Sequence, residues 1–167
     1  MDFFKAQCQS GPFTLERFGV CDDQAGQAAY VDTSLANAKQ WIATVENKSQ
    51  VPVTFTAIDK CVIQDADAPG RGRCDAMLTT GNSLFLLELK ERKVKSDWRK
   101  DACDQLESTI LFLMEHHPQQ LAQFTRKKAQ ACNRKAPGFV ELEQELKRRF
   151  RSYGFHIDTQ ATVVVVS

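Results

Sequence analysis

Two acidic residues and a lysine could do chemistry together in this chain of 167 residues. They are Asp75 and the triplet Glu88-Leu89-Lys90. Carboxylate oxygens are the ligands that Mg²⁺ prefers, and an ammonium group beside such an ion can orient a water molecule or neutralise developing charge. The chemistry this would suit is that of a bound divalent cation with a cationic donor beside it.

The spacing supplies a way to bring them together. Residues 71–92 read as two strands joined at Gly81-Asn82, with Gly first as a type II′ turn requires. With those two residues at the bend, Thr80 faces Ser83, Thr79 faces Leu84, Met77 faces Leu86, Asp75 faces Glu88 and Arg73 faces Lys90. Alternation then places Leu84, Leu86, Glu88, Lys90 and Arg92 on one face, with Met77 and Asp75 beside them. Opposed side chains have Cβ atoms about 4.5–5.5 Å apart, and like charges there repel. A bound cation would relieve that repulsion. The alternative is a solvated hairpin whose Glu88 pairs with Lys90 or Arg73. The apolar run Leu84-Phe85-Leu86-Leu87 argues for a buried central strand, on which terminal charges need a reason.

An Asp at the start of one strand and Glu-x-Lys on the next resemble the signature of the PD-(D/E)XK, or restriction-endonuclease-like, nuclease superfamily. The resemblance implies Asp75 and Glu88 as ligands of Mg²⁺ or Mn²⁺, the backbone carbonyl of Leu89 as a further oxygen, and Lys90 as the residue assisting the attacking water. It also implies Gln105, on the following helix, as a site residue; a polar residue at a helix edge is the other reading. The superfamily often adds an acid from its first helix. Glu46 is the one Glu on the candidate helix, and a solvated Glu beside Lys48 is its alternative. Among the basic residues around the motif, Arg73, Arg92, Lys93, Lys95, Arg99 and Lys100 are the candidates for nucleic-acid contact. Arg71, Arg126, Lys127, Lys128, Arg134 and Lys135 extend the cluster. Solubilising charge is the alternative for all of them.

The elements that must position these residues follow from periodicity. Phe13 to Val20 and Gln27 to Val31 suggest a hairpin that decorates the core, with Asp22-Asp23 in a solvated turn or as a lesser metal candidate. Leu35, Ala38, Trp41, Ile42 and Val45 recur at helical spacing, predicting a helix from Ser34 to Lys48. Val51 to Ile63 is rich in β-branched residues and reads as a strand, followed by a loop from Asp65 to Gly72. Ser96 caps a predicted helix over 97–117, which Pro118 ends. His116-His117 closes that helix as a cationic cap. A strand over 126–133, a helix over 139–153 stopped by Gly154 and a strand over 155–166 complete the chain.

The expected fold is therefore α/β (α+β). Its core is restriction-endonuclease-like, a central mixed sheet flanked by helices in the order helix-strand-strand-strand-helix-strand over residues 34–134. Residues 1–33 and 135–167 are additions within a single domain. The net charge of +1 gives no global field that would attract nucleic acid. For so small a domain, a homodimer or a partner protein is then one way to hold DNA, the favoured substrate. No apolar run spans a bilayer and no secretory signal is visible, so a cytoplasmic location is expected. The six cysteines contain no C-x-x-C and read as reduced, buried apolar residues rather than zinc ligands. A nuclease fold that binds or regulates without cutting remains the competing function. A binding domain with an accidental Glu-x-Lys is the third.

Overall fold

The computed structural model describes residues 1–23, 25–93 and 97–167. In chain order the strands and helices are β1 (Gln9–Phe13), β2 (Arg17–Cys21), β3 (Tyr30–Asp32), β4 (Ala43–Glu46), β5 (Val53–Ala57), β6 (Ala76–Thr80), β7 (Ser83–Lys90), α1 (Trp98–His116), α2 (Pro118–Gln123), β8 (Arg126–Asn133), α3 (Gln144–Ser152), β9 (His156–Thr159) and β10 (Thr162–Val164). Short 3₁₀ turns cover Ala6–Cys8 and Leu35–Gln40.

Two sheets form among the described residues. The larger runs β1-β5-β6-β7-β8-β9 and the smaller β10-β4-β2-β3. In the larger sheet β5, β6 and β7 make an antiparallel meander. The chain then crosses over through α1 and returns as β8, parallel to β7. Every residue of β7 is buried, as a strand covered on both faces must be. Leu84 and Leu86 pack with Met77 against Trp98, Leu106, Ile110 and Leu113 of α1. Phe85, Leu87 and Leu89 point the other way, onto Phe18, Val45 and Val163 of the smaller sheet. The molecule is thus layered as sheet, sheet and helices, with the Glu88–Lys90 face turned toward α1.

The bend falls where the sequence places it. Thr80 pairs with Ser83, Thr79 with Leu84 and Met77 with Leu86. Gly81 has φ +49°, the left-handed value a type II′ turn needs at its first central position.

Several expectations are overturned. The helix predicted from Ser34 to Lys48 is a 3₁₀ turn followed by β4. Leu35 is exposed, whereas Ala43 and Val45 are buried in alternation with Thr44 and Glu46. Four residues of period 2 sit inside a pattern that also fits period 3.6, and pairing with β2 and β10 decides between them. The core therefore lacks its expected first helix. The 51–63 strand shortens to β5. Pro118 ends α1 and also opens α2, at the N-terminal position where its missing N–H costs nothing. The 155–166 strand breaks at Gln160-Ala161, so that β9 joins one sheet and β10 the other. His117 is buried and receives the Phe3 N–H at 3.2 Å, tying down the N-terminus instead of acting as a solvated cap. Two cysteines are not reduced: Cys8 and Cys61 form a disulfide. Cys21, Cys74, Cys103 and Cys132 are buried thiols. Ser96 lies outside the described residues.

Candidate functional site

Asp75 stands one residue before β6, where the regular ladder ends at Ala76 opposite Leu87. Three bonds hold it there. Its N–H donates to the Leu87 carbonyl at 3.1 Å, and its carbonyl accepts the Ile58 N–H at 2.9 Å. Its carboxylate Oδ2 accepts the Leu89 N–H at 2.6 Å. The expected opposition of Arg73 and Lys90 lies beyond the paired residues. Arg73 turns away and pairs with Asp59 at 2.6 Å and with Asp65.

Glu88 is 1 % exposed. Its Oε1 lies 2.7 Å from Lys90 Nζ, while its Oε2 is buried with no hydrogen-bond partner. Lys90 Nζ also donates to Gln105 Oε1 at 2.6 Å, and Gln105 Nε2 donates to the Arg73 carbonyl at 3.4 Å. The pairing of Glu88 with Lys90 expected of a solvated hairpin is therefore made, but in a buried setting. Thr109, one turn after Gln105, accepts the Cys74 N–H at 2.7 Å and donates to the Gln105 carbonyl at 2.9 Å. The helix is thereby fixed to the residue before Asp75.

The Leu89 carbonyl follows from the ladder. Lys90's carbonyl faces β8, where it accepts the Arg134 N–H, and Leu87's faces Asp75. Carbonyl directions alternate along a strand, so Leu89's faces the Asp75 side as well.

Burial sets the electrostatics. Desolvation pushes the Asp75 carboxyl up to about 7, opposed by the Leu89 N–H and reinforced by the charge of Asp22. Glu88 is raised well above the usual carboxylate range by burial first and by Asp75 second, with Lys90 pulling the other way. Two buried acids, of which Asp75 makes Glu88 harder to ionise, with one ammonium paired to Glu88, form a site poised for more positive charge.

A cavity of about 220 Å³ opens on this cluster. Asp75, Glu88, Leu89, Lys90 and Gln105 line it together with Asp22, Gln27 and Asp59. Gln27 and Asp59 were missed by sequence reasoning, and Asp22 enters it only as half of a lesser metal candidate in a turn. Asp22 lies in a segment that reads as decoration. Asp59 lies in a stretch that reads as the interior of a strand, and in the fold it leaves β5 at the end nearest the site. Asn133 was missed too. Its Nδ2 donates to the Arg92 carbonyl at 2.7 Å and its Oδ1 accepts the Arg92 N–H at 3.2 Å, holding the chain just after Lys90.

The other expected residues lie elsewhere. Glu46 sits on β4 in the smaller sheet and lines a separate cavity with Arg17 and Lys48. It has no place beside Asp75, because the helix meant to carry it does not form. Arg92 pairs with Asp101 at 2.9 Å and Lys100 with Asp104 at 2.8 Å. Arg99 and Lys100 line a larger cavity of about 750 Å³ between α1 and the 141–149 segment. Lys93 is exposed, and Lys95 lies outside the described residues. Arg126, Lys127 and Lys128 lie on β8, opposite Ser83, Leu84 and Phe85 at the end of β7 far from the site. Among the described residues, Lys90 is the one Lys or Arg that lines the cavity.

Among the described residues no group of three or more His, Cys, Asp and Glu side chains is already arranged to hold a metal ion. Nor is any helix among them long and apolar enough to cross a membrane. Compared with known proteins, the chain matches no family model, no curated protein and no solved structure.

Proposed function

We propose that this chain hydrolyses phosphodiester bonds in nucleic acid, DNA by preference, with a divalent cation held at Asp75 and Glu88, as a PD-(D/E)XK type of nuclease. The observation that carries this reading is the orphaned Glu88 Oε2, a buried oxygen without a partner on a residue that lines one cavity with a second carboxyl group, that of Asp75. A buried oxygen with no partner is costly unless something else satisfies it. The meander, the crossover helix and the parallel β8 support the same reading, with Asp75 just before the second strand of the meander and Glu88 and Lys90 on the third.

The donor set fits Mg²⁺ or Mn²⁺. All the candidate donors are hard oxygens, and Mg²⁺ is commonly bound through one or two carboxylates, with waters and substrate phosphates completing its shell. Two protein carboxylates therefore suffice. When bound, such an ion supplies Lewis acidity and lowers the pKa of a water molecule. The chain's own residues do the rest. The Leu89 N–H fixes the orientation of the Asp75 carboxylate. Lys90 carries three N–H protons; Glu88 and Gln105 take two, and the third serves a phosphate oxygen or the attacking water. Gln105 keeps Lys90 from swinging away. The test is incubation with plasmid, single-stranded DNA and RNA in Mg²⁺ or Mn²⁺ against EDTA. Cleavage that needs the cation and disappears in Glu88→Ala is the expected result.

One observation favours a second reading, a nuclease fold that binds without cutting. Lys90 satisfies Glu88 Oε1 and Gln105 internally, so half of the site is neutralised without any ion. Nucleic-acid binding that persists in EDTA and in Glu88→Ala, with no cleavage under any condition, would favour it. The cytoplasmic location is not carried into the proposal, because the Cys8–Cys61 bond suits an oxidising compartment better.

A further inference from the structure

The turn after β5 is tied to the site on one side and to the N-terminal segment on the other. Cys61 lies in it and is cross-linked to Cys8, which directly precedes β1. On the site side, the Ile58 N–H donates to the Asp75 carbonyl at 2.9 Å. Asp59 lines the cavity, and its Oδ1 accepts Arg73 Nε at 2.6 Å. The Arg73 carbonyl accepts Gln105 Nε2 at 3.4 Å, and Gln105 Oε1 accepts Lys90 Nζ at 2.6 Å. The contacts run unbroken from Asp59, two residues before Cys61, to the lysine of the site. Two features make the cross-link matter to this turn. Lys60, directly before Cys61, has φ +67°. That left-handed backbone is unfavourable for a residue other than glycine and persists only where the surroundings impose it. In addition, β1 pairs with β5 only as far as Gln9 opposite Thr56. Beyond that point the disulfide takes over from the ladder in joining the two segments. Cys61 is half-buried, whereas Cys8 and the four free thiols are buried, so a reductant in solution meets the chain at Cys61.

Resting on the reading of Asp75, Glu88 and Lys90 as a nuclease site, we infer that the Cys8–Cys61 bond is a redox gate on that site. Intact, it holds Lys90 in place through Asp59, Arg73 and Gln105. Reduced, it lets that chain of contacts slip, and cutting slows. The reductant is a dithiol. Its thiolate attacks Cys61 Sγ, the S–S bond breaks, and Cys8 leaves as a thiolate that takes up a proton. The second thiolate of the reductant then attacks the mixed disulfide and frees Cys61, which is protonated in turn. The protein pair gains two electrons, and the dithiol ends as its own disulfide. β1 stays paired with β5, and the turn alone relaxes. Such protein disulfides form and persist in oxidising surroundings, so full activity is confined to them.

The test compares the full chain, oxidised and after dithiothreitol, below the melting temperature of the reduced form, with circular dichroism as the check on folding. On reduction, amide exchange read by mass spectrometry is expected to quicken in peptides covering 58–65, 73–75 and 88–90 and to stay unchanged in β2 and β4. Single-turnover cleavage in Mg²⁺ should fall roughly 10²-fold, the effect of misplacing a group by about 1 Å, and return on reoxidation. The Cys8→Ser, Cys61→Ser double variant should cut at the reduced rate with or without dithiothreitol. Exchange at 73–75 and 88–90 that reduction does not alter would overturn the gate. So would cleavage that proceeds equally in both states, which would leave the nuclease reading intact. Loss of the whole fold on reduction would overturn it as well, because the bond would then be a structural staple. A chain that loosens at those peptides but cuts in neither state keeps the coupling and loses the nuclease reading.

Discussion

Asp75 and Glu88 are held in a setting that disfavours their charges, and this has a measurable sign. The Asp75 carboxyl is raised from 3.8 to about 7, so between those values the folded chain binds a proton that the unfolded chain has released. Stability then falls as pH rises through that window. Glu88 shifts in the same direction and adds to the fall. A cation held by both carboxylates would reverse the loss. In EDTA the melting temperature should be lower at pH 8 than at pH 5. Mg²⁺ should raise it at pH 8 and have little effect at pH 5, where protons already occupy the acids. A melting temperature equally sensitive to Mg²⁺ at both pH values would contradict the site. Lys90 has its own test. Lys90→Ala should lower single-turnover cleavage by about 10²–10⁴-fold, as loss of a group serving proton transfer does, while Mn²⁺ binding persists. That Asp75, Glu88 and Lys90 meet in one place was legible from type and spacing. Asp22 was legible only as half of a lesser metal candidate, because nothing in an Asp-Asp pair says which of the two lines the cavity; that depends on where β2 ends.

At the scale of elements, the site is an end effect of a buried ladder. The Gly81 turn sets the register and α1 covers the face. Two contacts then lock helix to strand. Thr109 bridges the Cys74 N–H and the Gln105 carbonyl while fully buried. Thr109→Val keeps the shape but leaves that N–H unpaired, so a loss of about 1–3 kcal/mol in chemical denaturation is expected. Gly72 approaches the helix so closely that an added Cβ would lie 3.2 Å from Gln105 Cγ. Gly72→Ala should therefore press Gln105 aside by a few tenths of an ångström and loosen its hold on Lys90, with cleavage falling modestly and stability little; the two measured side by side check it. The hairpin and α1 were readable because each carries a long, unambiguous period. The 34–48 segment was misread because Trp41, Ile42 and Val45 satisfy a helical period until β2 and β10 compete for the backbone. With that helix gone, Glu46 loses its route to the site. Partner strands distant in sequence leave no local signal.

At the scale of the molecule, two sheets and a helical layer close around one cavity at the end of β7, and the N-terminal segment is bound in at several points. The Cys8–Cys61 bond joins residues 53 apart in sequence and fixes the loop that carries Asp59. Cross-links of such span contribute about 2–4 kcal/mol, so a reducing agent should lower the melting temperature; an unchanged value would show that packing alone holds the segment. Scattered cysteines do not reveal such a pairing, since connectivity depends on the fold that brings them together. The arrangement of basic residues was equally hidden. Arg73, Arg92 and Lys100 cluster in sequence near the motif, yet each has an acidic partner in the fold. The most direct test of the whole reading is a crystal soaked with Mn²⁺. Anomalous density touching both the Asp75 carboxylate and Glu88 Oε2 is the expected result. A crystal that takes up Mn²⁺ elsewhere, with the Glu88–Lys90 pair undisturbed and no density in that cavity, would contradict it.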